Sequence, residues 1–156
     1  MVIIDSDVLL LEFAYNRDPR QDQNVLFLQK VRPLWPGITI YTLLEVLGQL
    51  SFNLSRDELL QRPKWLGANY GISVLWPKPA GLGAEDFFRR EIYEQPFARM
   101  QAHRIAFGDA LVLALAENTP NIEAFVTWNA RHFRGKTALA VMTPAEYLEQ
   151  AQSEQP

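Results

Sequence analysis

Val2-Ile3-Ile4-Asp5-Ser6-Asp7-Val8-Leu9-Leu10-Leu11 opens the chain, and this stretch decides the fold class. A short apolar, β-branched run ends in a carboxylate and passes straight into a leucine-rich segment. The first part predicts a buried strand. Ser6 or Asp7 then caps a helix carrying Leu9, Leu10, Leu11 and Phe13. The same alternation continues along the chain. Residues 16–24 are polar, and a second helix carries Val25, Leu26, Leu28 and Val31 until Pro33 stops it. A strand is predicted over 37–41, and Thr42 opens a third helix with Leu43, Leu44, Val46, Leu47 and Leu50 on its apolar side. Ser55-Arg56-Asp57-Glu58 has the pattern of a capping box and opens a fourth, short helix whose end Pro63 obscures.

Residues 71–76 predict another strand, and the Pro- and Gly-rich stretch 77–83 a loop. A helix from Ala84 to about Gln101 is perturbed near Pro96. The run from Phe107 to about Glu117 is apolar nearly all round, which predicts a deeply buried helix. Strands follow over 124–128 and 138–142. Thr143-Pro144-Ala145-Glu146 then starts a final helix with Pro144 at its first position. Strands alternating with helices predict α/β architecture around a mainly parallel, helix-covered sheet. One domain over 1–149 is expected, with a polar, frayed tail over 150–156.

Composition narrows the function classes. With 48% hydrophobic and 21% charged residues in 156, the balance is that of a globular chain. A chain of this size buries roughly 68–70% of its unfolded surface. Fifteen Lys and Arg against eighteen Asp and Glu leave a net charge of −3, so nucleic-acid binding would have to rest on a local basic patch. The absence of cysteine excludes disulfides, thiolate metal sites and thiol nucleophiles. No signal peptide is expected, because the start is not basic and Asp5 interrupts the apolar run. No stretch approaches the ~18 apolar residues of a membrane span. The expectation is a soluble, cytoplasmic protein with no membrane partner.

Four polar residues stand out against apolar surroundings: Asp5 after the first strand, Glu45 in Thr42-Leu43-Leu44-Glu45-Val46-Leu47, Asp109 in Phe107-Gly108-Asp109-Ala110-Leu111, and Asn129 in Phe125-Val126-Thr127-Trp128-Asn129. An unpaired carboxylate in such a setting is costly. In an open α/β sheet, ligands gather outside the carboxyl ends of the strands, and all four can reach that edge. Two carboxylates about 4 Å apart repel by roughly 4 kcal/mol at an effective dielectric near 20. A bound Mg²⁺ or Mn²⁺ turns that penalty into attraction. Each residue also has a plainer explanation: Asp5 as a helix N-cap, Glu45 as the far half of a capping box with Thr42, Asp109 as the start of its helix, and Asn129 as a turn residue.

On these residues the chain resembles PIN-domain proteins, most nearly the VapC-type ribonuclease toxins of bacterial toxin–antitoxin pairs. The similarity runs from Met1 to about Glu149. It is carried by Ile3-Ile4-Asp5-Ser6-Asp7-Val8-Leu9-Leu10, by Glu45 after a strand, by Gly108-Asp109-Ala110 entering an apolar helix, and by Val126-Thr127-Trp128-Asn129-Ala130-Arg131-His132-Phe133. The resemblance implies a three-layer α/β/α fold and a Mg²⁺- or Mn²⁺-dependent endoribonuclease, dimeric and held inactive by a protein antitoxin. Carried onto this chain, Asp5 and Asp109 are the main metal ligands, and Glu45 completes the acidic triad directly or through water. Asn129 falls where many members carry a fourth acid, and its neutral amide puts a second metal in doubt. Ser6 and Thr127 orient ligands through their hydroxyls. The metal activates a water and stabilises the phosphoryl charge. Which carboxylate takes the water proton stays open.

An acidic site facing an acidic substrate needs cations. Arg131, His132, Arg134 and Lys136 beside Asn129, with Arg99, His103 and Arg104 upstream of Asp109, are the candidates for RNA phosphate contact. An ordinary solvated face is the alternative, with His132-Phe133 packed on the last strand. Aromatic residues between 52 and 97 suit the core, a dimer interface or a groove for an antitoxin helix. Two rival functions remain. Asp5-Ser6-Asp7 resembles the Asp-x-Asp of haloacid-dehalogenase-type phosphatases, but Thr127 after Asp109 reverses their motif order. A PIN-fold module that binds RNA or protein without cleaving is also consistent with Asn129.

Overall fold

A computed structural model describes residues 1–15 and 17–153 of the chain. Asn16, in the polar stretch 16–24, and the last three residues of the expected tail lie outside the described residues. Five strands form one sheet: β1 (Val2–Ile4), β2 (Gly37–Thr39), β3 (Ser73–Leu75), β4 (Ala124–Val126) and β5 (Val141–Met142). Their order is β3-β2-β1-β4-β5 and every pair is parallel, with Ile3 opposite Gly37 and Phe125. The helices are α1 (Ser6–Ala14), α2 (Gln21–Val31), α3 (Ile40–Leu50), α4 (Arg56–Tyr70), α5 (Ala84–Arg89), α6 (Gln95–His103), α7 (Phe107–Glu117), α8 (Ala130–Phe133) and α9 (Pro144–Ser153). This is the three-layer α/β/α arrangement that the sequence predicts.

The pleat sorts the apolar residues onto two faces. Val2, Ile4 and Val126 pack with Val8, Leu9, Phe27, Leu28, Leu43 and Val46 on one side. Ile3 and Phe125 pack with Ala110, Leu113, Ala116 and Phe133 on the other. Burial on both faces explains why β1 and β4 read as unbroken apolar runs and not as alternating ones. β2, β1 and β4 are parallel neighbours, so their carboxyl ends lie side by side on one edge of the sheet.

Several elements differ from expectation for local reasons. Thr42 does not open α3: the N-cap is Thr39, whose hydroxyl accepts from the Thr42 N–H at 3.0 Å. β2 therefore stops at Thr39. The fourth helix is not short. It runs through Pro63 to Tyr70, held at its start by the Ser55–Glu58 capping box and closed by Gly71 at φ 67°. Leu66 is buried, and Trp65 and Tyr70 pack edge-on against Phe13, so tertiary contacts outweigh the proline. The helix predicted from Ala84 is split by a π turn over Arg90–Glu94. Pro96 has no N–H for the Ile92 carbonyl, and the Gln95 N–H reaches back five residues to Arg90. α9 opens as predicted, with Thr143 and Glu146 in a reciprocal capping box, and runs to Ser153.

A buried amide locks the first layer to the end of β4. Asn24 donates through Nδ2 to the Val8 carbonyl at 3.1 Å and accepts from Trp128 Nε1 at 2.8 Å. Asn24→Ala leaves the indole N–H without its partner. It should lower the free energy of unfolding by about 1–3 kcal/mol, read as a lower urea midpoint with unchanged slope.

Candidate active site

Asp5 sits where β1 ends. Its N–H donates to the Val126 carbonyl at 3.0 Å, which ties it to the carboxyl end of β4. Its own carboxylate caps α1 by accepting from the Ser6 N–H at 2.8 Å. The expected cap at Ser6 or Asp7 is thus one or two residues late, and both lie inside the helix. Capping occupies one oxygen and is compatible with a second use of the group. Asp5 is only 8% exposed. Burial first, and then the neighbouring Asp7 carboxylate, push its pKa up to about 8. The Ser6 N–H and the Thr127 hydroxyl pull the other way, and Glu45 adds a further upward push. Asp5, Asp7 and Glu45 therefore share one negative field; Arg20 meets it from the Asp7 side, where the two charges attract.

Asp7 was not among the expected site residues, yet it organises this edge. Its carboxylate accepts from Thr127 Oγ1 at 2.9 Å, from the Trp128 N–H at 3.1 Å and from the Asn129 N–H at 3.0 Å. Thr127 Oγ1 in turn accepts from the Asn129 N–H at 3.1 Å. Burial raises the Asp7 pKa, against the pull of these donors. In sequence Asp7 is one more polar residue at a helix start, and its partners lie 120 to 122 residues away, so nothing local reveals the role. Ser6 is buried and reaches Asp5 through its backbone N–H.

Glu45 is exposed in the second turn of α3 and forms no capping box with Thr42, because Thr42 is itself inside the helix and bonded to Thr39 at 2.9 Å. One turn earlier, Tyr41 donates its hydroxyl to the buried Glu91 at 2.6 Å. That contact, absent from the sequence reading, fastens the first turn of α3 to the π turn. Asp109 lies in the first turn of α7 and pairs with His132 Nε2 at 3.0 Å. His132, expected at the substrate, is placed on a carboxylate. Asn129 is exposed at the N-terminus of α8, and its amide makes no cap. The segment 127–132 thus grips Asp7 at one end and Asp109 at the other.

The cations divide. Arg134 is paired with Glu146 at 2.5 Å, and Arg99 is paired with Glu117. Arg131 and Arg104 are exposed, and Lys136 is half-buried. Arg104 closes α6 in the left-handed region at φ 50°. Among the described residues, no three His, Asp or Glu side chains stand together as a ready-made metal cage. The hard oxygen donors and the buried carboxylate of Asp5, unpaired with any Lys or Arg among the described residues, fit the ligand chemistry of a divalent cation.

The described residues form a three-layer α/β/α protein around a five-stranded parallel sheet. No family model and no curated protein sequence matches the chain. Solved structures do. A chain of FitAB bound to the IR36 DNA fragment superposes with a TM-score of 0.61 at 19% identity, over 92% of this chain and 95% of that one. A toxin–antitoxin complex from Klebsiella pneumoniae gives 0.58 at 21%, over 92% and 98%. FitAcB from Neisseria gonorrhoeae gives 0.59 at 18%, over 93% and 99%. At such identities the likeness establishes the shared fold.

Because the folded Asp5 holds its proton to a higher pH than the unfolded residue, its ionisation opposes folding. The folded state binds the extra proton between the ordinary carboxyl value of 3.8 and about 8, so stability falls as pH rises through that window. Asp5→Asn retains a capping oxygen and removes the charge. The variant should melt higher than the parent by roughly 5–10 °C at pH 8 and by almost nothing at pH 4, in thermal scans without divalent metal.

Proposed function

We propose that this chain is a Mg²⁺- or Mn²⁺-dependent endoribonuclease that hydrolyses RNA phosphodiester bonds, and the toxin of a toxin–antitoxin pair. The observation that carries the proposal is the strand-end carboxylate of Asp5, buried beside Asp7 and within the field of Glu45, with no Lys or Arg paired to it among the described residues and Arg20 acting only on Asp7. Asp5, with Asp109 and Glu45, would hold the ion. When bound, a divalent ion lowers the pKa of a coordinated water and neutralises charge on phosphoryl oxygens. The chain's own residues do the rest. Asp7 fixes the 127–129 backbone and sets the Thr127 hydroxyl between Asp7 and Asp5. His132 orients the Asp109 carboxylate. Arg104, Arg131 and Lys136 remain for phosphate contact, while Arg134 is committed to Glu146.

Support for the toxin reading is the shared fold, since two of the similar structures are FitAB and FitAcB and a third is described as a toxin–antitoxin complex. A homodimer and an antitoxin partner fit the exposed apolar side chains of Leu44, Phe52 and Leu60 on and beside α3 and α4, and of Phe88, Tyr93 and Phe97 along α5 to α6. No described helix is long and apolar enough to cross a membrane, and a cytoplasmic location is part of the proposal. A non-cleaving binding module is the second reading, favoured by the neutral Asn129 and by the engagement of Asp109 with His132.

Cleavage of a mixed RNA substrate should require Mg²⁺ or Mn²⁺ and stop with a chelator. Asp5→Asn and Asp109→Asn should each lower the rate by at least about 100-fold. The metal should raise the melting temperature of the parent but not of Asp5→Asn. Equal cleavage by both variants and parent sinks the catalytic assignment. RNA binding without cleavage by the parent selects the binding module.

A further inference from the structure

A cleft of about 640 Å³ lies beside the edge strand β3. It is lined by the residues that follow β3, by the π turn and by the end of α7. Its volume falls in the range of small-molecule sites, roughly 300–1,000 Å³. Six lining residues carry chemistry: Trp76, Lys78, Arg90, Glu91, Gln95 and Asn118. Trp76 is 64% exposed, a large apolar surface at the mouth of a cavity. Lys78 is exposed and Arg90 half-buried, and neither makes an ion pair among the described residues. Glu91 is spoken for by the Tyr41 hydroxyl at 2.6 Å. Two cations therefore face one engaged carboxylate.

Two further atoms mark the cleft as incomplete. Arg90 Nε and Gln95 Oε1 are shielded from solvent and have no hydrogen-bond partner. A buried donor or acceptor left unmade costs about 1–3 kcal/mol. Both belong to the distorted stretch around the π turn, a form of helix that recurs at functional sites. Turning either side chain into the cleft to meet a ligand relieves the penalty. The inventory is an aromatic face, two unpaired cations, and amides able to read a polar edge. It matches a planar heterocycle joined to an anion.

We propose that this cleft binds a nucleoside monophosphate unit, its base stacked on Trp76, its phosphate between Lys78 and Arg90, and its base edge met by Gln95 and Asn118. The unit has two possible sources, a free mononucleotide or one nucleotide of an RNA strand. Only the second rests on the nuclease reading. The site stands on the cleft and not on the acidic edge, so it is tested in an Asp5→Asn background, where failure of binding and failure of cleavage are separate results.

The test is tryptophan fluorescence of the full-length Asp5→Asn protein, titrated with AMP, GMP, CMP and UMP, with a 2′-O-methyl hexanucleotide, and with inorganic phosphate. Trp76→Phe identifies which of the four tryptophans reports. Saturable quenching by mononucleotides assigns the free ligand, and quenching by the hexanucleotide alone assigns the strand. In either case Lys78→Ala, read by the same quenching, and Trp76→Ala, which removes the reporter and is read by isothermal titration calorimetry beside the parent, should each weaken binding roughly tenfold. Arg90→Met, which keeps the aliphatic stem, should do the same, and melting curves of all three should stay near the parent's. The proposal is overturned if no nucleotide quenches, if phosphate alone binds as tightly as the nucleotides, or if affinity is indifferent to all three substitutions.

Discussion

The carboxylate of Asp7 is the contact on which the proposed site depends. One side chain in the first turn of α1 takes a hydroxyl and two backbone N–H groups from Thr127, Trp128 and Asn129. Hydrogen bonds to an ionised acceptor are the strong ones, and three of them set the path of a loop with little freedom left. That path places Thr127 between Asp5 and Asp7. It also launches α8, whose His132 reaches Asp109 at 3.0 Å. A single carboxylate thus ties the start of α1 to the loop after β4, and that loop leads on to the partner of Asp109. Trp128 is held from its other side by Asn24, so the loop is fixed at both its backbone and its indole.

Against that fixed frame, Asp5 is the strained partner. Burial and two like charges oppose its ionisation, while one cap bond and one hydroxyl favour it, and the former win. A protein without use for this charge would gain stability by losing it. That cost is the link between a thermodynamic property of the chain and the metal chemistry proposed for it. The neutral Asn129, bonded through its backbone N–H, shapes the loop without adding a fourth charge.

Much of this was legible in the chain. The apolar runs at 2–4 and 124–126 announced buried strands, and the all-round apolar segment of α7 announced a covered helix. The Ser55 capping box appears as read, and α9 opens at Pro144 as read, with the Thr143–Glu146 cap added by the structure. What misled was local chemistry overruled at a distance. Pro63 obscures the end of a helix that reads as short, yet aromatic packing of Trp65 and Tyr70 against Phe13 carries α4 past it to Tyr70. Thr42 and Glu45 read as a capping box, yet Thr39 takes that place because β2 ends two residues earlier than its pattern implies. Pro96 gave a warning of a perturbation but not of a π turn.

The sequence by itself determined the class of fold and the strand-end acids, because hydrophobic period and strand–helix order are local properties of neighbouring residues. Only the tertiary structure decided which polar groups meet. The carboxylate of Asp7 finding Thr127, Tyr41 finding Glu91 and Asp109 finding His132 are pairings across 120, 50 and 23 residues. Electrostatic and hydrogen-bond energies depend on separation in space, and a linear chain carries no record of that separation until the sheet brings its ends together.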